Sequence, residues 1–168
     1  EAERAMLAAR FGITGRYVMY SGAMEPRKNA EGLLRAFALL GADIHGNTQL
    51  VIAGKVSPHD RSRFDALANS LGVGERVVYT GFITDQELIA LYSGAAVYVF
   101  PSLHEGFGLP ALEAMACGAP TIGSNTTSVP EVIGCEEALF DPRRPTEIAA
   151  SIRRVLEDEG FAARLRAG

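Results

Sequence analysis

The sequence predicts an α/β domain built on a doubly wound, parallel, six-stranded sheet of the Rossmann-like type. Strand-type and helix-type patterns alternate along almost the whole chain. The predicted strands are short and nearly continuous apolar runs, as is typical of parallel strands covered by helices on both faces. With 168 residues, of which 48% are hydrophobic, the chain is long enough to form one such domain.

We predict a strand wherever a short run of apolar, β-forming residues stands between turn residues. These runs cover residues 17–22, 49–54, 76–81, 96–102, 119–124 and 137–141. Helical patterns fill the intervals. They cover the opening residues as far as Phe11, 29–41, 58–71, 84–93, 109–117, a short turn near Val129, and a last helix with Ile148, Ile152, Val155 and Leu156 on one face.

Several helix ends carry recognisable capping residues. Asn29 is a plausible N-cap and Gly41 a plausible C-cap of the helix that follows the first strand. Thr84, with Glu87 three residues further on, predicts a capping box. These signals place the loop between the first strand and its helix at about residues 22–29.

Composition and charge exclude several classes of protein. The net charge of −4 mixes 16 basic and 20 acidic residues without a basic run, which argues against nucleic acid or a membrane surface as a partner. Two cysteines, Cys117 and Cys135, are too few for a disulfide framework and favour a reducing compartment. The three histidines lack metal-ligand spacing, so no metal site is expected.

No apolar run approaches the roughly 18 residues of a transmembrane helix, and no signal peptide heads the chain. We therefore expect a soluble, cytoplasmic domain. The sequence opens within a helical pattern and lacks an initiator Met, so we expect it to be cut from a longer protein.

In a sheet of this type, ligands bind at the carboxyl ends of the strands, where the strand order reverses. If the order is the common 3-2-1-4-5-6, strands 1 and 4 are neighbours at that point. The loop after strand 1 presents Arg27 and Lys28, and the loop after strand 4 presents Glu105 and the turn 106–109. The polar and glycine-rich loops thus fall where the topology predicts a ligand.

The stretch Gly106–Ala111 allows three interpretations. It matches the dinucleotide pattern G-x-G-x-x-A, but it follows the fourth strand and no acidic residue ends the next one, so a nicotinamide or flavin role is disfavoured. A phosphate cradle fits better, because glycines admit close approach of a ligand and helix N-termini attract anions, with Arg27 and Lys28 to neutralise a diphosphate. Alternatively, the glycines and Pro110 only shape a turn.

The two glutamates, Glu105 and Glu113, suit a different part of a ligand. Carboxylates are strong acceptors for the hydroxyl groups of a ribose or a hexose. Two such acids around an anion-binding turn describe a nucleotide-sugar, with the diphosphate between sugar and ribose.

The stretch "EGFGLPALEAMACGAPTI", with seven residues between Glu105 and Glu113, resembles the E-x7-E signature of retaining GT-B glycosyltransferases of group 1 (family 4). The resemblance runs nearly end to end, because "YVMYSGAMEPRKN", "LVIAG", "VVYTGFITDQELIALYSGAAVYVFPSLHEGFGLP" and "SVPEVIG…ALFDP" follow in the family's order. It implies that residues 1–168 are the C-terminal, nucleotide-sugar-binding half of a GT-B fold. The N-terminal acceptor domain would then lie outside this sequence.

The resemblance also implies a role for each matching residue. Lys28, with Arg27, is expected to contact the donor diphosphate near Gly22, and Glu113 the ribose. Glu105 and the backbone of Gly106, Phe107, Gly108 and Leu109 are expected to hold the transferred sugar, without Glu105 acting as a general base. Phe82, Ile83 and Asp85 are expected to border the base, and residues 128–131 to shape the crevice wall.

One position departs from the family pattern. Many members have Gly-Arg after strand 1, whereas this sequence has Gly22-Ala23 and one residue fewer before "EPRK". Either Arg27 supplies the missing charge or the diphosphate contact is weaker than usual. Gly134-Cys135, where relatives often have Gly-Asp, is expected to be neutral.

The expected activity of the parent enzyme is transfer of a hexose such as mannose from a GDP- or UDP-linked donor in glycan or surface-polysaccharide synthesis. No metal or cofactor is expected, and cations with helix N-termini would stabilise the leaving diphosphate. The isolated domain is expected to bind donor weakly and to transfer nothing, and the parent to associate with the inner face of a membrane through its other domain. Two alternatives stay open: half of a nucleotide-sugar epimerase, and a non-catalytic nucleotide-binding module.

Overall fold

The computed structural model describes all residues from Glu1 to Gly168 and contains one six-stranded parallel sheet. Apolar runs form every strand, and each strand leads into a loop and then a helix. The strands are β1 (Arg16–Ser21), β2 (Thr48–Ala53), β3 (Val77–Tyr79), β4 (Val97–Phe100), β5 (Thr121–Ser124) and β6 (Leu139–Phe140).

The strand order is β3-β2-β1-β4-β5-β6, with every neighbouring pair parallel, which confirms the predicted doubly wound sheet. The order reverses between β1 and β4, where Val18 is paired with Val97 and Met19 with Tyr98. Since crossovers between parallel strands are right-handed, connections that run in opposite directions from this point place their helices on opposite faces.

Nine helices cover the sheet and its ends. They are α1 (Ala2–Phe11), α2 (Ala30–Leu39), α3 (Ala42–His45), α4 (Pro58–Ser70), α5 (Asp85–Gly94), α6 (Leu109–Ala116), α7 (Val129–Ile133), α8 (Pro145–Glu157) and α9 (Glu159–Ala167). Helix α2 packs against α8, whereas α5 lies between α1 and α6.

The core consists of one cluster of 42 buried hydrophobic residues. All four residues of β4 are buried, and so are all six of β2, because helices cover both faces of these central strands. In the last long helix, Ile148, Ile152 and Val155 are buried as predicted, and Leu156 packs partly buried against the same cluster.

Some element ends differ from the prediction. Helix α2 ends at Leu39, so Gly41 is not its C-cap; with φ of 83° Gly41 precedes the short α3, which the sequence did not predict. The predicted last helix is two helices, because Asp158 interrupts it and accepts a hydrogen bond from Phe161 N as the N-cap of α9. The third and sixth strands begin later than predicted, since residues 74–76 and 136–138 form 3-10 turns.

No helix of the structure is both long enough and apolar enough to cross a lipid bilayer.

Candidate functional site

The loops after β1 and β4 meet at the carboxyl edge of the sheet, where the strand order reverses. The loop after β1 contains one 3-10 turn (Pro26–Lys28) and ends at Asn29, whose φ of 60° is left-handed. Leu103 N, in the loop after β4, donates to Arg27 O over 2.8 Å. The two loops are therefore joined through their backbones.

Asn29 holds these loops together with its side chain. It occupies the predicted N-cap position of α2, but its side chain makes no capping hydrogen bond. Its Nδ2 instead donates to Pro101 O over 3.0 Å and to Pro142 O over 2.8 Å. The amide thus links the ends of three segments far apart in sequence, and this tertiary role replaces the local one that was predicted.

Lys28 and Glu105, predicted from separate loops, form an ion pair. Lys28 Nζ donates to Glu105 Oε2 over 2.7 Å, and Ser102 Oγ donates to the same oxygen over 3.2 Å. The two side chains are only 16% and 13% exposed, so the pair is partly shielded from water. A charge-assisted bond of this length fixes both side chains at the mouth of the β1–β4 crevice.

The glycine-rich turn leads directly into α6. Gly108 has φ of 101° and occupies the N-cap position, and no side chain caps the helix. The amide groups of this first turn therefore have no side-chain partner, which is the arrangement that binds anions at helix N-termini. Around Gly106, the space that a Cβ would fill is empty within 4 Å.

The loop after β5 is hydrogen-bonded to the glycine-rich turn. Ser128 Oγ lies 3.0 Å from both Glu105 O and Phe107 O, so these two carbonyls share its one hydrogen, and Glu105 N donates to Thr127 Oγ1 over 3.1 Å. Ser128 thus lies where residues 128–131 were predicted to shape the crevice wall. Phe107 and Leu109 are 56% and 57% exposed on the outer side of the turn.

Glu113 lies on α6 with its side chain exposed. The hydroxyl of Tyr92, on α5, donates to Glu113 Oε2 over 3.4 Å. Burial, together with the charge of Glu113, raises the pKa of Tyr92 to about 12. Burial and the same charge raise the pKa of Cys117. No sequence pattern indicates Tyr92 as a site residue, because only the packing of α5 on α6 brings it to the carboxylate.

Arg27 lies in the same loop as Lys28 but faces a different partner. Its Nε donates to Glu25 Oε2 over 2.9 Å, and its side chain is 49% exposed. Burial raises the pKa of Tyr20, the charges of Glu105 and Glu25 add to this rise, and Arg27 opposes it. The charged groups therefore surround the Tyr20 hydroxyl, and Gly22, with φ of 134°, stands beside the same ring.

The segment predicted to border a base follows β3, two strands from β1. Phe82 is 70% exposed, Ile83 is partly buried against the core, and Asp85 is the exposed first residue of α5. The predicted capping box of Thr84 and Glu87 is present. The hydrogen bonds of this segment do not reach Lys28 or Glu105, so its place in the site depends on the length of the ligand.

A cavity of about 330 Å³ lies at the opposite, amino edge of the sheet, between α1 and α5, near Gly15 and Tyr17. No three His, Cys, Asp or Glu side chains gather in a way that could hold a metal ion.

The family model "Glycosyl transferases group 1" matches residues 9–168. The chain is 45% identical over 162 residues to the "Serotype-specific mannosyltransferase WbdA" of Escherichia coli, covering 96% of this chain and 20% of that protein. It is 40% identical over 148 residues to the "O-antigen chain mannosyltransferase B" of Escherichia coli, covering 86% of this chain and 38% of that protein. The chain thus spans well under half the length of these relatives.

Solved structures share the fold. Sucrose-phosphate synthase from Thermosynechococcus elongatus superposes with a TM-score of 0.84 at 33% identity, covering 96% of this chain and 42% of that one. The Anabaena protein HepE, in complex with UDP and glucose, superposes with a TM-score of 0.85 at 21% identity, covering 99% of this chain and 46% of that one. At that lower identity the likeness concerns the fold alone.

Proposed function

The chain belongs to the group 1 glycosyltransferases, and from that premise we propose that residues 1–168 form the C-terminal, donor-binding domain of a retaining mannosyltransferase. The Lys28–Glu105 pair is the observation that carries the proposal. It places a cation suited to a diphosphate beside a carboxylate suited to sugar hydroxyls, at the point of the sheet where ligands of such folds bind.

The proposed donor is supported by the names of the relatives. Two relatives at 45% and 40% identity are named mannosyltransferases, and a third at 34% identity from Mycobacterium tuberculosis is named as GDP-mannose-dependent. We therefore favour GDP-mannose over a UDP-linked hexose. The exposed ring of Phe82, with Ile83 and Asp85, would border the guanine, two strands away from the sugar.

The remaining parts of the donor are assigned by chemistry. Lys28 and the amides that open α6 would hold the diphosphate, with Arg27 contributing from the rim near Gly22. Glu105 and the backbone of residues 106–109 would hold the mannose. Glu113 would accept hydrogen bonds from the ribose hydroxyls.

The proposed reaction exchanges one bond at the anomeric carbon for another. The bond between that carbon and the diphosphate oxygen breaks, and the diphosphate leaves with the electron pair. An acceptor hydroxyl attacks from the same face, and its proton passes to the departing oxygen. Lys28 and the helix terminus stabilise the charge that develops on the diphosphate, and Glu105 stabilises the oxocarbenium-like sugar, most strongly in a closed and dry cleft.

A second domain would supply the acceptor contacts and close this cleft, as the partial coverage of the relatives supports. We propose that the chain alone binds donor but transfers nothing. We propose that the protein acts in the cytoplasm, since Cys117 and Cys135 are unpaired thiols that fit a reducing compartment.

The test is an incubation of the full-length protein with GDP-mannose, with and without a mannose-terminated oligosaccharide, followed by NMR of the products. The proposal predicts mannosyl transfer with the anomeric configuration of the donor, only when the acceptor is present. Conversion of the donor alone into an epimer would indicate an epimerase instead. Robust transfer by residues 1–168 alone would contradict the need for a second domain.

A further inference from the structure

A chain of hydroxyl groups connects the interior of the sheet to Glu113. The hydroxyl of Tyr98, a fully buried residue of β4, lies 2.9 Å from Ser21 Oγ at the end of β1. Ser21 Oγ lies 2.9 Å from the hydroxyl of Tyr92, which in turn lies 3.4 Å from Glu113 Oε2. The two tyrosine rings meet edge to face, with centroids 5.3 Å apart, so the chain is held rigidly.

The direction of these hydrogen bonds follows from the number of protons available. A carboxylate only accepts, and each hydroxyl has a single hydrogen to donate. Tyr92 therefore donates to Glu113, which obliges Ser21 to donate to Tyr92 and Tyr98 to donate to Ser21. Every hydroxyl in the chain gives its one proton toward Glu113.

We propose that Tyr92 is a positioning residue that orients the Glu113 carboxylate for the ribose of the donor, an assignment that rests on the proposed function. Tyr92 is 1% exposed and packed in the core, whereas Glu113 is exposed and would otherwise sample several rotamers. Engaging Oε2 leaves Oε1 free to accept from a ribose hydroxyl. The bond to Tyr92 is long in the free chain, as is common at binding sites before the ligand tightens them.

The proposal predicts a change in ribose recognition. We expect the chain to bind GDP roughly tenfold more tightly than 2′,3′-dideoxy-GDP, since the loss of the ribose hydroxyls forfeits one charge-assisted bond to Glu113. In Tyr92→Phe this ratio should fall to about two- to threefold, because a freely moving carboxylate loses part of its gain to ordering. The affinity for 2′,3′-dideoxy-GDP should not change, since that nucleotide offers Glu113 no hydroxyl.

Two further variants separate positioning from general damage to α5. Tyr17→Phe removes a buried hydroxyl of β1, which donates to Leu91 O of α5 over 2.6 Å and does not contact Glu113. This control should keep the full ratio. Ser21→Ala breaks the chain one step before Tyr92 and should give an intermediate ratio.

Calorimetric titration of the four proteins with both nucleotides decides the matter. An unchanged ratio in Tyr92→Phe, or in Ser21→Ala should the first variant fail to fold, overturns the positioning role and leaves the proposed function standing. An equal fall of the ratio in Tyr17→Phe also overturns it. If the wild-type chain binds both nucleotides equally, or binds neither, then Glu113 does not bind the ribose. Such a result contradicts the proposed function itself.

Discussion

Lys28 Nζ and Glu105 Oε2 lie 2.7 Å apart and join the loops that follow two neighbouring strands of the sheet. Because both side chains are mostly buried, each keeps the other's charge from being left unpaired in the absence of a ligand. In the proposed complex, a diphosphate replaces Glu105 as the partner of Lys28. The hydroxyl groups of the sugar replace Lys28 as the partner of Glu105. The ion pair therefore holds in place the two groups that we propose bind the donor, before any ligand is present.

Arg27 should contribute less to donor binding than Lys28, because it is half exposed and already paired with Glu25. We expect Arg27→Ala to weaken GDP binding about threefold, and Glu25→Gln to strengthen it by a similar factor, since interactions of exposed charges are small. Calorimetry with GDP measures both. Arg35→Ala, at an exposed position of α2, is the control and should bind as the wild type does. If Arg27→Ala weakens GDP binding as much as Lys28→Ala does, then Arg27 replaces the arginine that many family members have at the position of Ala23.

Glu105→Gln should reduce kcat of the full-length protein at least about a hundredfold, because the neutral amide no longer stabilises a positive sugar. The amide keeps the size of the carboxylate, so the KM for donor should change much less. Steady-state kinetics measure the two separately. Glu159→Gln, at an exposed position of α9, should leave both constants unchanged. Full activity in Glu105→Gln would point to a non-catalytic nucleotide-binding module.

The two glycines of the turn should respond differently to alanine. Gly108→Ala forces a side chain into φ of 101°, and its Cβ would lie 3.5 Å from Phe100 Cε1. We expect the free energy of unfolding to fall by about 1–3 kcal/mol. Gly106→Ala has empty space around its Cβ, so it should fold normally and yet weaken GDP binding, because the methyl group keeps a ligand off the backbone. Urea denaturation and calorimetry test the pair, and equal stability of both variants would be evidence against the strained turn.

Alkaline pH should unfold the protein through its buried tyrosines. Burial raises the pKa of Tyr17, Tyr20 and Tyr98, and it raises that of Tyr92 to about 12. Since the unfolded chain loses these protons first, the free energy of unfolding should be flat up to about pH 9 and fall above about pH 10. Each tyrosine should lower the free energy of unfolding by at most about 1.4 kcal/mol per pH unit, between its pKa in the unfolded chain and its raised pKa in the folded chain.

Urea denaturation across this range, with tyrosinate absorbance as a second signal, measures the effect. Tyr92→Phe should show a shallower fall, by about one proton. A stability that stays constant to about pH 11 would mean that these hydroxyls titrate equally in the folded and unfolded chain.

The order of the strands could be predicted from the sequence, and so could the meeting of the two loops that carry Lys28 and Glu105. Both depend on local hydrophobic periodicity and on a general rule about where parallel strands end. The roles of these residues remain predictions, as do those of Gly22, Phe82, Ile83, Asp85 and Glu113.

Other features depend on contacts between distant segments. Asn29 was predicted to cap α2, but its side-chain amide donates hydrogen bonds to Pro101 O and Pro142 O instead. Satisfying two buried carbonyl groups stabilises the fold more than one local capping hydrogen bond would. Ser21 and Tyr92 are 71 residues apart and meet only once β1 and β4 pair and α5 packs beside them. No pattern along the chain indicates such a contact.

The donor site in the β1–β4 crevice is best tested by calorimetric titration of the chain with GDP, UDP, ADP and NAD, repeated on Lys28→Ala and Glu113→Ala. We expect selective binding of GDP, weakened at least roughly tenfold in each variant, since each loses a charge-assisted bond to a different part of the nucleotide. Binding of NAD in preference to the diphosphates, or GDP binding that survives both substitutions, would contradict the assignment of the β1–β4 crevice as the donor site.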